Sequence, residues 1–191
     1  MNFAIEDKSA FLMRRLKEHH PYTYVHSLRV AHYSFELAKM MGFSDPELDV
    51  LVRSALLHDV GKLKIPRKIL DKKGKLDEKE WLNLRLHSQY GAEIVQEFSY
   101  SGLVDPEVIL YHHENMDGTG YPFGLTGGAL SLSVRIVRIT DSFDAMTTMR
   151  AYNQLKSMDR AIDELFRWSD VHFDLEAVGI FERYIQERYF G

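Results

Sequence analysis

Residues 45–62 read DPELDVLVRSALLHDVGK. Ser44 or Asp45 can cap a helix here, and Pro46 suits a first turn, where a missing N–H costs nothing. Leu48, Leu51, Val52, Ala55 and Leu56 then recur at helical spacing and form one apolar face. The run ends on His58 and Asp59, with Gly61 behind them as a stop. A helix that buries one face and then offers an imidazole and a carboxylate must satisfy both groups. A metal ion does this for each; a capped helix end with an exposed His-Asp pair does it with less. Taken alone, the two residues leave these readings about even.

The same helical pattern extends outward on both sides. Ile5 to Lys17 is amphipathic, and Pro21 opens a second stretch whose spacing runs from Tyr22 to Met41 and stops at Gly42. Lys62 to Lys75 reads as a connector with Pro66 and a Lys-Lys-Gly turn at 72–74. Asp77 with Glu80 predicts a capping box for one long helix to about Phe98. Asp105-Pro106 opens another helix, ending at His112 and His113. Residues 115–131 read as a loop, because five of the twelve glycines fall between positions 118 and 128. Ser133 to Met149 is helical, with a break near Tyr152 and Asn153; Asp159 to Trp168 and Leu175 to Tyr189 are amphipathic. No period-2 strand, internal repeat or Pro/Ser-rich linker interrupts this pattern. The expected fold is all-α, a single helical domain over residues 1–191: an N-terminal helix in 1–20, a motif-bearing core of about 20–155 and C-terminal helices in 156–191.

Composition excludes several classes. The chain has 191 residues, 45% hydrophobic and 27% charged, which is globular and neither disordered nor fibrous. Its 24 Lys and Arg against 28 Asp and Glu give a net charge of −4, which argues against a nucleic-acid polymer as partner. Cysteine is absent, so there is no disulfide frame, thiolate metal site or Cys nucleophile, and a cytoplasmic address is permitted. No apolar run approaches the roughly 18 residues of a membrane span. Met1 to Arg15 has no leader pattern, so no signal peptide is expected.

Nine histidines remain to be placed. His26 and His87 stand on helices with apolar neighbours, and each alone suits a hydrogen-bonded core position. His112 and His113 alone suit one core and one surface residue. Asp141 lies in the apolar run from Val134 to Thr140, where a carboxylate is costly unless paired or metal-bound. As a set, His26, His58, Asp59, His87, His112, His113 and Asp141 sit on five expected helices, and inward donation from several helices is how bundles build dinuclear sites. Nitrogen and carboxylate donors without sulfur suit iron, manganese or zinc. His19, His20, His32 and His172 are read as surface or structural. The glycine loop fits neither a dinucleotide fingerprint nor a Walker loop; its length and its place after His112 and His113 suit a lid or rim.

The chain resembles the HD-GYP branch of the HD superfamily, metal-dependent phosphodiesterases that hydrolyse cyclic di-GMP. The resemblance rests on Pro21-Tyr22-Thr23 and His26-Ser27-Leu28-Arg29-Val30, on His58-Asp59-Val60-Gly61-Lys62 with Ile65-Pro66, and on Gly74-Lys75-Leu76 and His87 with Gly91. It continues through His112-His113-Glu114, Asp117-Gly118-Thr119-Gly120-Tyr121-Pro122, Asp141, Phe143-Asp144-Ala145 and Arg150 with Tyr152. It implies that His26, His58, Asp59, His87, His112, His113 and Asp141 hold two divalent metal ions, iron or manganese, and that an activated water attacks phosphorus in line. Asp59 and Lys62 would be the catalytic pair, Lys62 and Arg150 would hold phosphate, and Gly120, Tyr121 and Pro122 would shape the substrate side. A cyclic dinucleotide substrate is implied, and a diguanylate cyclase partner or a homodimer is admitted.

The chain departs from the family pattern in four respects. Tyr22 stands where some members carry a Glu that supports a third metal, so two metals and a linear dinucleotide product are expected. Asn153 replaces a usual Lys, Asn115 a usual Arg, and Leu130-Ser131 a usual Ile-Pro. The alternatives are a phosphohydrolase acting on another nucleotide, a module that senses or binds a cyclic dinucleotide without cutting it, and an oxygenase like related di-iron HD proteins, against which the signature loop argues. Only about 20 residues precede the resemblance, too few for a sensor domain, so the chain acts alone, as a dimer or as part of a longer protein.

Overall fold

The computed structural model describes residues 3–99, 101–148 and 156–191. Helix ends fall where local chemistry places them. Helix α1 (Phe3–His19) meets α2 (Pro21–Met40) at His20, whose imidazole accepts from the Thr23 backbone N–H while Pro21 fills the first turn. Gly42, at φ +85°, turns the chain out of α2. Ser44 and Glu47 form a capping box that opens α3 (Asp45–Leu57). The expected connector holds a 3-10 turn, Val60–Lys64, and the short α4 (Arg67–Leu70). Then come α5 (Glu78–Arg85), α6 (His87–Ser99) and α7 (Pro106–Tyr111), a glycine loop with a 3-10 turn at Gly127–Ala129, and α8 (Leu132–Thr147), α9 (Met158–Arg167) and α10 (Leu175–Tyr189). Among the described residues there is no strand. Two isolated bridges, Asp117 with Thr126 and Ser169 with Phe173, pin loops. The expected break near Tyr152 and Asn153 lies outside the described residues.

One expectation is corrected. The single helix from Asp77 to about Phe98 is two helices, broken at Leu86. The His87 Nδ1 bonds the Leu84 carbonyl at 2.6 Å, taking up an acceptor at the end of α5. The two parts also serve different ends: α5 buries none of its side chains, whereas α6 buries His87, Ser88 and Val95.

Two hydrophobic clusters stabilise the bundle. The larger is contributed by α2, α3, α8, α9 and α10 and centres on the fully buried Phe143 and Phe181. Tyr33, Phe143 and Phe181 meet edge to face, with centroids 5.0–5.9 Å apart. The smaller joins Met13 and Leu16 to Leu57, Val60, Val95, Val104 and Ile109. Ala55 belongs to the first cluster and Leu57 to the second, so His58 and Asp59 follow directly where the chain passes from one to the other.

Behind that pair the backbone comes very close to α6. A Cβ on Gly61 would lie 1.8 Å from the His87 carbonyl oxygen and 2.5 Å from the Gly91 nitrogen. Only glycine permits that approach, which brings His87 beside Asp59. Among the described residues no helix is long and apolar enough to cross a membrane.

Phe181→Ala should lower the unfolding free energy by about 3–5 kcal/mol, read as a lower urea midpoint with helical circular dichroism retained. A loss under about 1 kcal/mol would contradict a closed aromatic core.

Candidate metal centre

Three histidines share one local device. His58, His87 and His112 each follow the end of a helix, and each Nδ1 donates to the carbonyl three residues earlier: Ala55 at 2.7 Å, Leu84 at 2.6 Å and Ile109 at 2.9 Å. A carbonyl only accepts, so Nδ1 carries the proton and Nε2 is left as a lone pair. His26 does the same with a carboxylate, its Nδ1 lying 2.6 Å from Asp144 Oδ2.

These lone pairs converge. His87 Nε2 lies 3.2 Å from His112 Nε2 and 3.2 Å from His113 Nε2. His87 and His112 have already committed their ring protons, so that contact sets two lone pairs face to face. His26 Nε2 and His58 Nε2 are buried and have no hydrogen-bond partner, although Asp141 Oδ1 is 3.0 Å from the former. Buried imidazoles without donors opposite them are costly, and a cation between them removes that cost.

Two carboxylates connect the imidazoles. Asp59 Oδ2 lies 3.5 Å from His58 Nε2 and 3.7 Å from His26 Nε2, while its Oδ1 lies 3.4 Å from His87 Nε2. Asp141 Oδ1 faces His26, and at 4.0 Å His58; its Oδ2 is 4.0 Å from His113 Nδ1. His26, His58 and Asp59 form one set of donors within 4.8 Å of one another, and His87, His112 and His113 form another. Each carboxylate therefore reaches both sets. The donor types and their orphaned nitrogens fit divalent cations.

The electrostatics follow from burial and these neighbours. Burial lowers the pKa values of His58, His112 and His113, and pushes His87 down to about 4. Burial opposes the charge on His26 too, but Asp141 and Asp144 outweigh it and raise its pKa. Burial also opposes ionisation of Asp59, yet Lys62 and the surrounding imidazoles hold it well below the usual carboxylate range. Lys62 Nζ donates to Asp59 Oδ2 at 2.6 Å and lines a cavity of about 550 Å³ beside the centre.

Residues to which the sequence reading gives no site role support this arrangement. Asp144 is fully buried and accepts from His26 and, with both oxygens, from Arg29 Nε and a terminal nitrogen at 2.5 and 2.9 Å. It lies one helical turn after Asp141, and Arg29 one turn after His26; that spacing was the available signal. Glu114 is fully buried and accepts the backbone N–H groups of Phe123, Gly124 and Leu125 at 2.7–3.1 Å, folding the glycine loop back. Asn115 accepts from the Arg138 guanidinium at 2.8 Å. His20, read as surface or structural, is half-buried and lines the cavity.

All seven candidate ligands thus come together, with Lys62 beside them. Gly120 packs where a Cβ would meet the Glu114 Cα at 2.4 Å. The Tyr121 ring stacks on His113 at 4.7 Å, with the Arg85 guanidinium 4.4 Å from its centroid, and Pro122 follows it. The loop is therefore a wall against His113. Arg150 lies outside the described residues.

The family described as HD domain matches residues 5–177. A cyclic di-GMP phosphodiesterase of Pseudomonas aeruginosa, PA4108, is 37% identical over 174 residues, covering 87% of this chain and 42% of the relative. The 3'3'-cGAMP-specific phosphodiesterase 3 of Vibrio cholerae is 43% identical over 143 residues, covering 74% and 31%. The solved structure of Bd1817, an HDG"Y"P protein from Bdellovibrio bacteriovorus, superposes with a TM-score of 0.68 at 22% identity, covering 84% of this chain and 51% of that one. The chain spans less than half the length of these two curated relatives.

Asp144→Ala should weaken metal retention about 10- to 100-fold by releasing the His26 ring, read by competition with a chelator. Unchanged affinity would mean that Asp144 does not orient His26. Acid should also destabilise the metal-stripped protein. A histidine whose folded pKa lies below its unfolded value of about 6.5 contributes stability that is whole above that value and is lost as pH falls toward the folded pKa. His58, His87, His112 and His113 act in this direction and His26 against it. Unfolding free energies from urea titrations taken downward from neutral pH should fall by about 1.4 kcal/mol per pH unit for each net proton. A flat profile down to about pH 5 would mean that the imidazoles are solvated.

Proposed function

This chain belongs to the HD-domain family and carries the His-Asp and Gly-Tyr-Pro motifs of its HD-GYP branch, and on that premise we propose that it is a metal-dependent phosphodiesterase opening cyclic di-GMP, or a close cyclic dinucleotide, to the linear product. The observation that carries the reading is the pair of carboxylates, Asp59 and Asp141, each reaching both sets of imidazoles. His26, His58, Asp59, His87, His112, His113 and Asp141 would hold two divalent ions, iron or manganese. Ions bound there would supply an acidified water as nucleophile and neutralise charge on the phosphodiester.

The chain's own residues do the rest. Asp144 and Arg29 fix the His26 ring, so that its Nε2 stays aimed at the centre. Lys62 stands between Asp59 and the cavity, where its ammonium offsets charge that grows on phosphate oxygen during attack. Arg150 would grip a phosphate with its planar fork. Gly120, Tyr121 and Pro122 would keep water from the His113 side, since Tyr121 lies flat on that ring. Tyr22 offers no carboxylate for a third ion, which supports a stop at the linear dinucleotide.

The named activities of the relatives support this choice of substrate. Helices α9 and α10 share the larger hydrophobic cluster with α2 and α8, which supports one domain over residues 1–191. A cytoplasmic address suits the substrate.

The purified protein, loaded anaerobically with manganese or ferrous iron, should convert cyclic di-GMP to the linear dinucleotide. Asp59→Ala should lose at least about 100-fold in turnover, followed by chromatography of the nucleotides. Bound metal without turnover in either metal form would overturn the hydrolytic reading.

A further inference from the structure

The cavity of about 550 Å³ beside the candidate metal centre has walls that the metal chemistry leaves unused, and its size suits a small-molecule ligand. At the first turn of α2 the half-buried Tyr22 ring faces into it, lying parallel to the His26 imidazole with an interplanar angle of 9° and centroids 6.3 Å apart. Ile69, Leu70 and Leu76 add apolar surface. Lys72 and Lys73 add charge: Lys72 pairs with Glu80, while Lys73 is exposed and has no acidic partner among the described residues. The segment 62–75 carries seven Lys or Arg against one Asp, in a chain of net charge −4. Lys62, Lys64, Arg67 and Lys72 pair with Asp59, Glu93, Asp71 and Glu80, so the charge left to meet an anion at the cavity is that of Lys73.

The cavity is held in shape before any ligand enters. His20 Nδ1 bonds Thr23 Oγ1 at 2.6 Å, and His20 Nε2 lies 3.3 Å from Asp71 Oδ1. The start of α2 and the basic segment are thereby tied together. An aromatic face, an apolar wall and an unpaired cation next to a phosphodiester-cleaving centre match the parts of a nucleotide: base, sugar and phosphate.

We propose that this cavity seats one nucleotide of the cyclic dinucleotide, with its base stacked on Tyr22 and the phosphate that is not cut held by Lys73. The proposal rests on the phosphodiesterase reading above and names how that site would choose its substrate.

The test compares cyclic di-GMP with bis(p-nitrophenyl) phosphate, a phosphodiester without bases. Tyr22→Leu should lower the ratio of kcat/KM for cyclic di-GMP over the small diester about 10- to 100-fold, while Tyr22→Phe keeps it within about threefold. Lys73→Glu should raise KM for cyclic di-GMP about three- to tenfold at low salt, an effect that shrinks as salt is added. A ratio unchanged in Tyr22→Leu, including a parallel fall with both substrates, would overturn the proposal, because Tyr22 would then act through the metal centre. Inertness of the unmodified protein toward both substrates would defeat the hydrolytic reading instead. The seat is then read from calorimetric binding of cyclic di-GMP, which Tyr22→Leu weakens by the same factor if the proposal holds and leaves unchanged if it fails.

Discussion

Asp59 turns one oxygen toward His26 and His58 and the other toward His87, at 3.4–3.7 Å, in a place where none of these groups meets water. The surrounding structure serves that arrangement. Gly61 lets the 3-10 turn press on the start of α6, so that His87 reaches Asp59. The break at Leu86 turns the ring inward. Bonds from Nδ1 to a carbonyl or to Asp144 fix which nitrogen of each ring faces the centre. Burying so many unsaturated donors without a cation would cost several kcal/mol, so fold stability and ion binding are coupled here.

The glycine loop is anchored by the same economy of burial. Glu114 replaces lost hydration with three backbone N–H groups, and the loop it gathers brings Tyr121 onto His113. Arg138, whose burial lowers its pKa, donates to Asn115 and Ser142 and lies 5.1 Å from the Phe173 ring centroid. It ties α8, the loop and the turn before α10 into one wall. On the cavity side, segment 62–75 concentrates positive charge in an otherwise acidic chain. The two sides of the centre are thus chemically different, one faced by the Tyr121 ring, the other by the lysines that line the cavity.

Much of this was legible in the residues, and the exceptions have physical causes. The starts of α2, α3, α5 and α7 depend on caps and prolines that act within one turn, so Pro21, Ser44 or Asp45 with Pro46, Asp77 and Asp105 announce them, and Ser44 is the cap of α3. The break at Leu86 hangs on a side-chain bond from His87 to a backbone carbonyl, which periodicity does not register. The candidate ligands were ambiguous one at a time, since a buried histidine is ordinary; the set and its order carried the reading. Asp144 was masked by its neighbour Asp141, although a second carboxylate one turn on is the spacing expected of a group that steadies a ligand. Glu114 was unreadable because its partners lie nine to eleven residues ahead, in a loop whose path only the fold defines. His20, read as surface or structural, takes the structural role, which depends on the connector folding back to place Asp71 beside it.

A single centre for two ions, built from two carboxylates and five imidazoles, is tested by the metal-to-protein ratio after anaerobic reconstitution with manganese and removal of loosely held ion. Two ions per chain, falling to one or none in Asp59→Ala, is the predicted result. A ratio of one or less in the unmodified protein, or two ions retained without the Asp59 carboxylate, would contradict it.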